Sequence, residues 1–146
     1  MKFNVNQQDL QQALSYCQGV IEKRSTLPIL SNVLLNASNS NLTITATDLD
    51  LIFIHKIDNI EVIEEGSTTT VSSTIYDIVR KFSSEKKINL SLKDINKLLV
   101  ESEKSTFNLN CLSPTEFPLT DENFDQKNFS IKSKQLLKLL NKCKFS

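Results

Sequence analysis

FNVNQQDLQQALSYC, residues 3–17, changes its apolar period partway along, from that of a strand to that of a helix. It opens on alternation, with Phe3 and Val5 on one side and Asn4 on the other, the period-two signature of a short strand. The spacing then changes. Leu10, Ala13, Leu14 and Cys17 fall at i, i+3, i+4 and i+7, one apolar stripe on a helix. Asn6, at the junction, is the expected N-cap. Gly19 is the expected left-handed residue just past the helix end. Gln7, Gln8, Gln11, Gln12, Ser15 and Gln18 leave the opposite face polar and almost uncharged.

Downstream, residues 20–26 read as a loop. Leu27 precedes Pro28 and is driven to extended backbone. Pro28 offers no N–H and suits the beginning of a strand, which the apolar run predicts over residues 27–36. SNSN (38–41) reads as a turn, LTITATDL (42–49) as a second strand and LIFIHKIDNI (51–60) as a third. The pattern then starts again. A strand around Thr69–Val71 leads into a short helix with Ile75, Ile78, Val79 and Phe82 on one face. INLSLKD, KLLVESE and STFNLNCL supply three more strands. Each half is therefore read as strand–helix–strand–strand–strand, an α+β architecture with helices packed on antiparallel sheet.

The opening stretch also recurs. FSIKSKQLLKLLNKC (129–143) aligns with residues 3–17 without a gap. Phe3/Phe129, Val5/Ile131, Leu10/Leu136, Ala13/Leu139, Leu14/Leu140 and Cys17/Cys143 all lie 126 residues apart. That period is the size of a domain and marks a modular chain. Residues 1–126 are read as one domain, with a linker from about residue 112 in LSPTEFPLTDENFDQ. Residues 127–146 are read as the truncated start of a second.

The 146 residues are 39% hydrophobic and 23% charged, the balance of a folded soluble chain. No apolar run approaches the roughly 20 residues that span a bilayer, and MKFNVNQQDL lacks a signal peptide's apolar stretch. A cytoplasmic location is expected. Cys17, Cys111 and Cys143 are odd in number and far apart, which favours free thiols over a disulfide framework or a zinc site. The formal net charge of zero hides an asymmetry. Residues 127–146 carry six lysines and no acid, leaving eleven basic against seventeen acidic residues in 1–126. The body is thus −6 and the tail +6, the kind of split that marks a nucleic-acid or membrane surface.

MKF at the start, RSTLPILSNVLL (24–35), ITATDLDL (44–51), the Gly66–Val71 turn and STFNLNCLSPTEFP (105–118) occur in an order and spacing that resemble the N-terminal part of the bacterial sliding clamp, the beta subunit of DNA polymerase III. The resemblance covers residues 1–118, and the tail is similar to the start of that family's second domain. It implies a DNA-clamp fold of two β-α-β-β-β units per domain. It further implies a head-to-tail homodimer ring of three-domain subunits around double-stranded DNA, with helices lining the hole. Such a ring tethers DNA polymerase III, is opened by a clamp loader, catalyses nothing and needs no cofactor. Against the family the chain looks truncated: the groove for polymerase and loader peptides lies between the second and third domains.

The resemblance also implies sites. Arg24, just before TLPIL, holds a position that faces DNA in the family, with Lys23 as a weaker neighbour. Contacts of this kind to phosphate are electrostatic and independent of base sequence. The family's next basic position follows the turn at Val71, where this chain reads SST; Arg80 and Lys81 are the nearby cations. Lys134, Lys138 and Lys142 recur every four residues and form one helical stripe suited to phosphate. Phe107 and Leu109 match apolar subunit-interface positions, and Lys104 lies near a basic one, although Glu101 and Glu103 thin the basic cluster.

Catalytic chemistry finds little footing. Asp48, Asp50 and the single His55 offer carboxylates and an imidazole, but Asp48–Leu49–Asp50 reads as a hairpin turn, where Asp serves the backbone. No phosphate-binding glycine motif and no nucleophile–His–acid set occurs. The competing expectation is a stand-alone interaction or regulatory domain with a clamp-like fold and no ring.

Overall fold

The structure is a computed structural model, and it describes residues 1–21, 27–119 and 130–143. Strand β1 (Lys2–Asn6) runs directly into helix α1 (Gln7–Cys17). Strands β2 (Asn32–Ser38), β3 (Asn41–Thr47), β4 (Ile52–Ile57) and β5 (Glu61–Glu64) follow. The second half begins at β6 (Gly66–Val71), which runs into helix α2 (Ser72–Val79). It ends with β7 (Lys87–Asp94), β8 (Lys97–Ser102) and β9 (Ser105–Asn110). Helix α3 (Ser133–Cys143) comes last.

The strands form two sheets, ordered β5-β1-β7-β8-β9 and β4-β3-β2-β6, and every pairing is antiparallel. The halves exchange their first strands. β1 pairs with β7, and β6 pairs with β2. Phe3 and Val5 of β1, the α1 stripe, Val33 and Leu35 of β2, Ile75 and Val79 of α2, and Leu98 and Val100 of β8 all enter one core cluster. The stripe predicted for residues 10–17 is buried as read, since Leu10, Ala13, Leu14 and Cys17 are all inaccessible.

Several expectations are corrected. The strand predicted from residue 27 begins at Asn32, because residues 28–31 form a 3-10 turn. Leu27 is extended, as its position before proline requires, but Pro28 occupies the first helical position, where its missing N–H costs nothing. The third strand ends at Ile57, and EVIE (61–64) forms the unpredicted β5 on the far side of β1. Acids flank a single inward Val62 there, so no alternation gives the strand away. The first half therefore carries one strand more than the second. Gly19 is not left-handed; the α1 end is closed by Gln18 and Gly19 N–H groups bonding to Ser15 and Tyr16 carbonyls. Asn6 stands at the N-cap position, but its side chain donates to Asp9 at 3.2 Å and caps no backbone N–H. The glycine that matters is Gly66, with φ of 151° and an imagined Cβ only 3.0 Å from Met1 Cβ. Ser130–Lys132 are not in a strand, and α3 buries none of its residues.

Gln7, which its spacing groups with the polar face, is only 1% exposed. Its amide donates to the Val79 carbonyl at the end of α2, 2.8 Å away, and to Gln11 at 2.7 Å. Gln18, at the other end of α1, donates to Ser72 Oγ at the start of α2, 2.7 Å away. The two amides clip the helices together at both ends. Replacing Gln7 by Leu removes one of two donors to the Val79 carbonyl, which keeps the Phe82 N–H at 3.2 Å, and is expected to cost about 0.5–1.5 kcal/mol in urea unfolding. A loss below a few tenths would mean that water replaces the clip.

Burial pushes the Cys17 thiol from the ordinary 9.0 up to about 12. The folded thiol therefore keeps its proton in a range where the unfolded one loses it. Stability from this group is fully present below pH 9 and falls as pH rises toward 12, by on the order of 1.4 kcal/mol per pH unit. Cys17→Ala is expected to flatten the alkaline limb of a plot of unfolding free energy against pH; an unchanged slope would assign that limb to other groups.

Candidate nucleic-acid and subunit surfaces

Helices α1 and α2 lie side by side over the sheets, and their exposed faces are built from Gln8, Asp9, Gln12, Tyr16, Ser73, Thr74 and Asp77. Five of these seven carry amides or hydroxyls; Asp9 and Asp77 add negative charge, of which Asp77 is offset by Arg80 at 3.2 Å. The cations beyond α2 differ in availability. Arg80 is held by Asp77 at 3.2 Å and lies over the Tyr76 ring at 5.8 Å. Lys81 has no acidic partner among the described residues. Arg24 and Lys23 lie outside the described residues.

Lys134, Lys138 and Lys142 are exposed on α3, and none is ion-paired among the described residues. The other side of the helix carries Leu136, Leu139 and Leu140, which are exposed by 43% or more. Their counterparts in the repeat, Leu10, Ala13 and Leu14, are wholly buried. The same stripe that builds the core in α1 is therefore uncovered in α3.

Phe107 and Leu109 share the inner face of β9, but their surroundings differ. Leu109, 8% exposed and opposite Leu98, belongs to the core. Phe107, 39% exposed, sits at the rim with its ring edge-on to Phe82, centroids 5.9 Å apart. Lys104 is exposed at the β8–β9 turn without an ion-pair partner among the described residues, while neighbouring Glu103 reaches Lys86 at 3.5 Å. A strand-edge contact is thus available to Phe107 and Lys104 but not to the Leu109 side chain without opening the core.

Asp48 does the work of a turn residue. Its Oδ1 accepts the N–H groups of Asp50 and Leu51 at 3.0 and 2.7 Å, where Leu49 adopts φ of 85°. His55 points elsewhere, stacked 7° from parallel with Phe53 and 5.9 Å from the Tyr16 ring. Asp48, Asp50 and His55 are not brought together as a metal site. The Tyr16–Phe53–His55 cluster was not foreseen, although the alternation in IFIHKI places Phe53, His55 and Ile57 on one face. No described helix is long and apolar enough to cross a membrane.

The DNA polymerase III beta subunit N-terminal domain family matches residues 1–121. The beta sliding clamp of Caulobacter vibrioides is 34% identical over 148 residues, spanning all of this chain and 39% of the relative. That of Escherichia coli is 30% identical over 146 residues, again all of this chain and 40% of the relative. The chain thus spans about two fifths of the length of these relatives. Among solved structures, the Caulobacter crescentus beta sliding clamp superimposes with a TM-score of 0.91 at 33% identity, covering 97% of this chain and 38% of that one. The Pseudomonas aeruginosa DNA polymerase III subunit beta gives the same score at 31% identity. With strand exchange, helix pair and sequence in agreement, this chain belongs to the DNA polymerase III beta subunit, N-terminal domain, family.

Proposed function

We propose that this chain supplies the first domain of a DNA sliding clamp and the opening of the second, in a ring that encircles duplex DNA and tethers a replicative polymerase without catalysing a reaction. The observation that carries the reading is the 0.91 likeness to sliding-clamp structures over 97% of the chain. The mostly uncharged helix face, with Asp77 paired to Arg80 and Asp9 as the remaining acid, supports it too, because a ring that slides must hold DNA by enclosure and not by tight contact. Encirclement keeps the local polymerase concentration high, which is avidity without specific base contacts. A working place in the cytoplasm, with the DNA, follows from the same reading.

In this account residues 1–126 form the first domain, with the linker from about 112, and α3 opens the next. Arg24, with Lys23, touches phosphate. Lys134, Lys138 and Lys142 add a second basic stripe. Phe107 and Lys104 meet the neighbouring subunit at the β9 edge, with Leu109 supporting Phe107 from within the core. Polymerase and clamp loader engage the remainder of the ring.

Duplex-DNA binding across a salt series tests the phosphate contacts. The chain should bind weakly and lose affinity steeply with salt. Each phosphate contact removed should lower the slope of log affinity against log salt by about 0.9. Arg24→Ala should remove about one contact by that measure, and Lys134→Gln, Lys138→Gln and Lys142→Gln together should remove more. Identical slopes for parent and variants would take these residues out of the DNA path.

A further inference from the structure

We propose that Thr69 is a positioning residue: its hydroxyl latches residues 112–117 as a strap on the outer face of the β2–β6 pair, so that the tether to the second domain starts beyond Phe117 and not at residue 112. Alternation puts Asn32, Leu34 and Thr69 on the side of these strands turned away from Val33 and Leu35 of the core. An outer face is normally wet, yet these three are 2%, 7% and 0% exposed. The chain after β9 covers them. Its 3-10 turn, Pro114–Glu116, lies against β6. Phe117 is buried although it stands outside the main core cluster.

The latch is one side-chain oxygen. Thr69 Oγ1 donates to the Leu112 carbonyl at 2.9 Å and accepts the Leu112 N–H at 3.2 Å. It also accepts the Asn32 side-chain amide at 3.0 Å. One donation and two acceptances use every bond that a hydroxyl can make. Both backbone groups of Leu112 are thus satisfied by a side chain, in a segment that belongs to no strand. The strap is also stiff. Ser113 Oγ accepts the Thr115 N–H at 3.3 Å, and the Phe117 N–H returns to the Pro114 carbonyl at 3.2 Å. Pro114 and Pro118 each fix a backbone angle. A segment that is already restricted loses little freedom on docking, so one hydroxyl and one buried ring are enough to hold it. Leu119, just past the strap, is exposed again. Docking therefore removes slack from the tether and makes it leave the first domain at one place. That the tether leads to a second domain rests on the clamp reading; the latch itself does not, and its test reads the strap alone.

Backbone hydrogen exchange of the full chain provides the test, with Thr69→Val, Thr69→Ser and Phe117→Ala beside the parent. In the parent, the Leu112 amide is expected to exchange more slowly than the Leu119 amide. Thr69→Val keeps the side-chain shape and removes the hydroxyl. It should speed exchange at Leu112 and Phe117 about tenfold more than at the amides of β8, which report global opening. Thr69→Ser returns the hydroxyl and should restore slow exchange at both. Phe117→Ala leaves β6 untouched; it should loosen the same residues and speed cleavage after Glu116 by a glutamate-specific protease about tenfold. If Thr69 merely supports the fold, Thr69→Val shifts the strap and β8 amides together, and that result would overturn the proposal. So would a Leu112 amide as fast as that of Leu119 in the parent, or a Phe117→Ala strap that stays as protected as the parent's.

Discussion

Strand β1 makes its longer hydrogen-bonded ladder with the other half of the domain. It lies between β5 and β7, and β6 returns the exchange by pairing with β2. Each helix follows directly from an exchanged strand, so α1 and α2 are placed side by side by the same swap. The result is one core instead of two small ones. That matters at this size, because a half-domain of about sixty residues buries too little apolar surface to be secure alone. The Gln7 and Gln18 clips then fix how the two helices lie along each other.

Most of this was legible because the signals were periodic. The change from period two at Phe3 and Val5 to a helical stripe at Leu10, Ala13, Leu14 and Cys17 needs no tertiary information. The elements that escaped were decided by their neighbours. β5 is a strand because β1 has a free side to offer, not because EVIE looks like one. Pro28 fits a strand entrance and a 3-10 turn equally well on local rules, and the Leu30–Leu27 backbone bond selects the turn. Gln7 could not be told from Gln8 by residue type; only the arrival of α2 makes one a buried clip and leaves the other in solvent.

The candidate surfaces were legible to a lesser degree. Alternation placed Phe107 and Leu109 on one face but could not say that one is rim and the other core, since that depends on Leu98 across the ladder and Phe82 beyond it. The lysine spacing in the tail gave the stripe on α3 directly. Arg24 was singled out by its sequence context, and its segment falls outside the described residues. Charge separation is the common thread: the basic stripe stands on the last helix, while the helix pair of the first domain presents amides, hydroxyls and two carboxylates, Asp9 and Asp77.

The exchange of first strands also governs the order in which the chain can acquire its structure. Phe3 and its ladder partner Leu90 are 87 residues apart in sequence. Non-local pairings of this kind are slow, because a long loop must be closed before any contact compensates for it. As the chain leaves the ribosome, β1 and α1 emerge early with no sheet of their own to rest on. β5 is synthesised well before β7 and shares the opposite side of β1. The strand least visible in the sequence is thus the earliest partner that β1 can find, and it shields one side of an apolar strand until the rest of the sheet arrives.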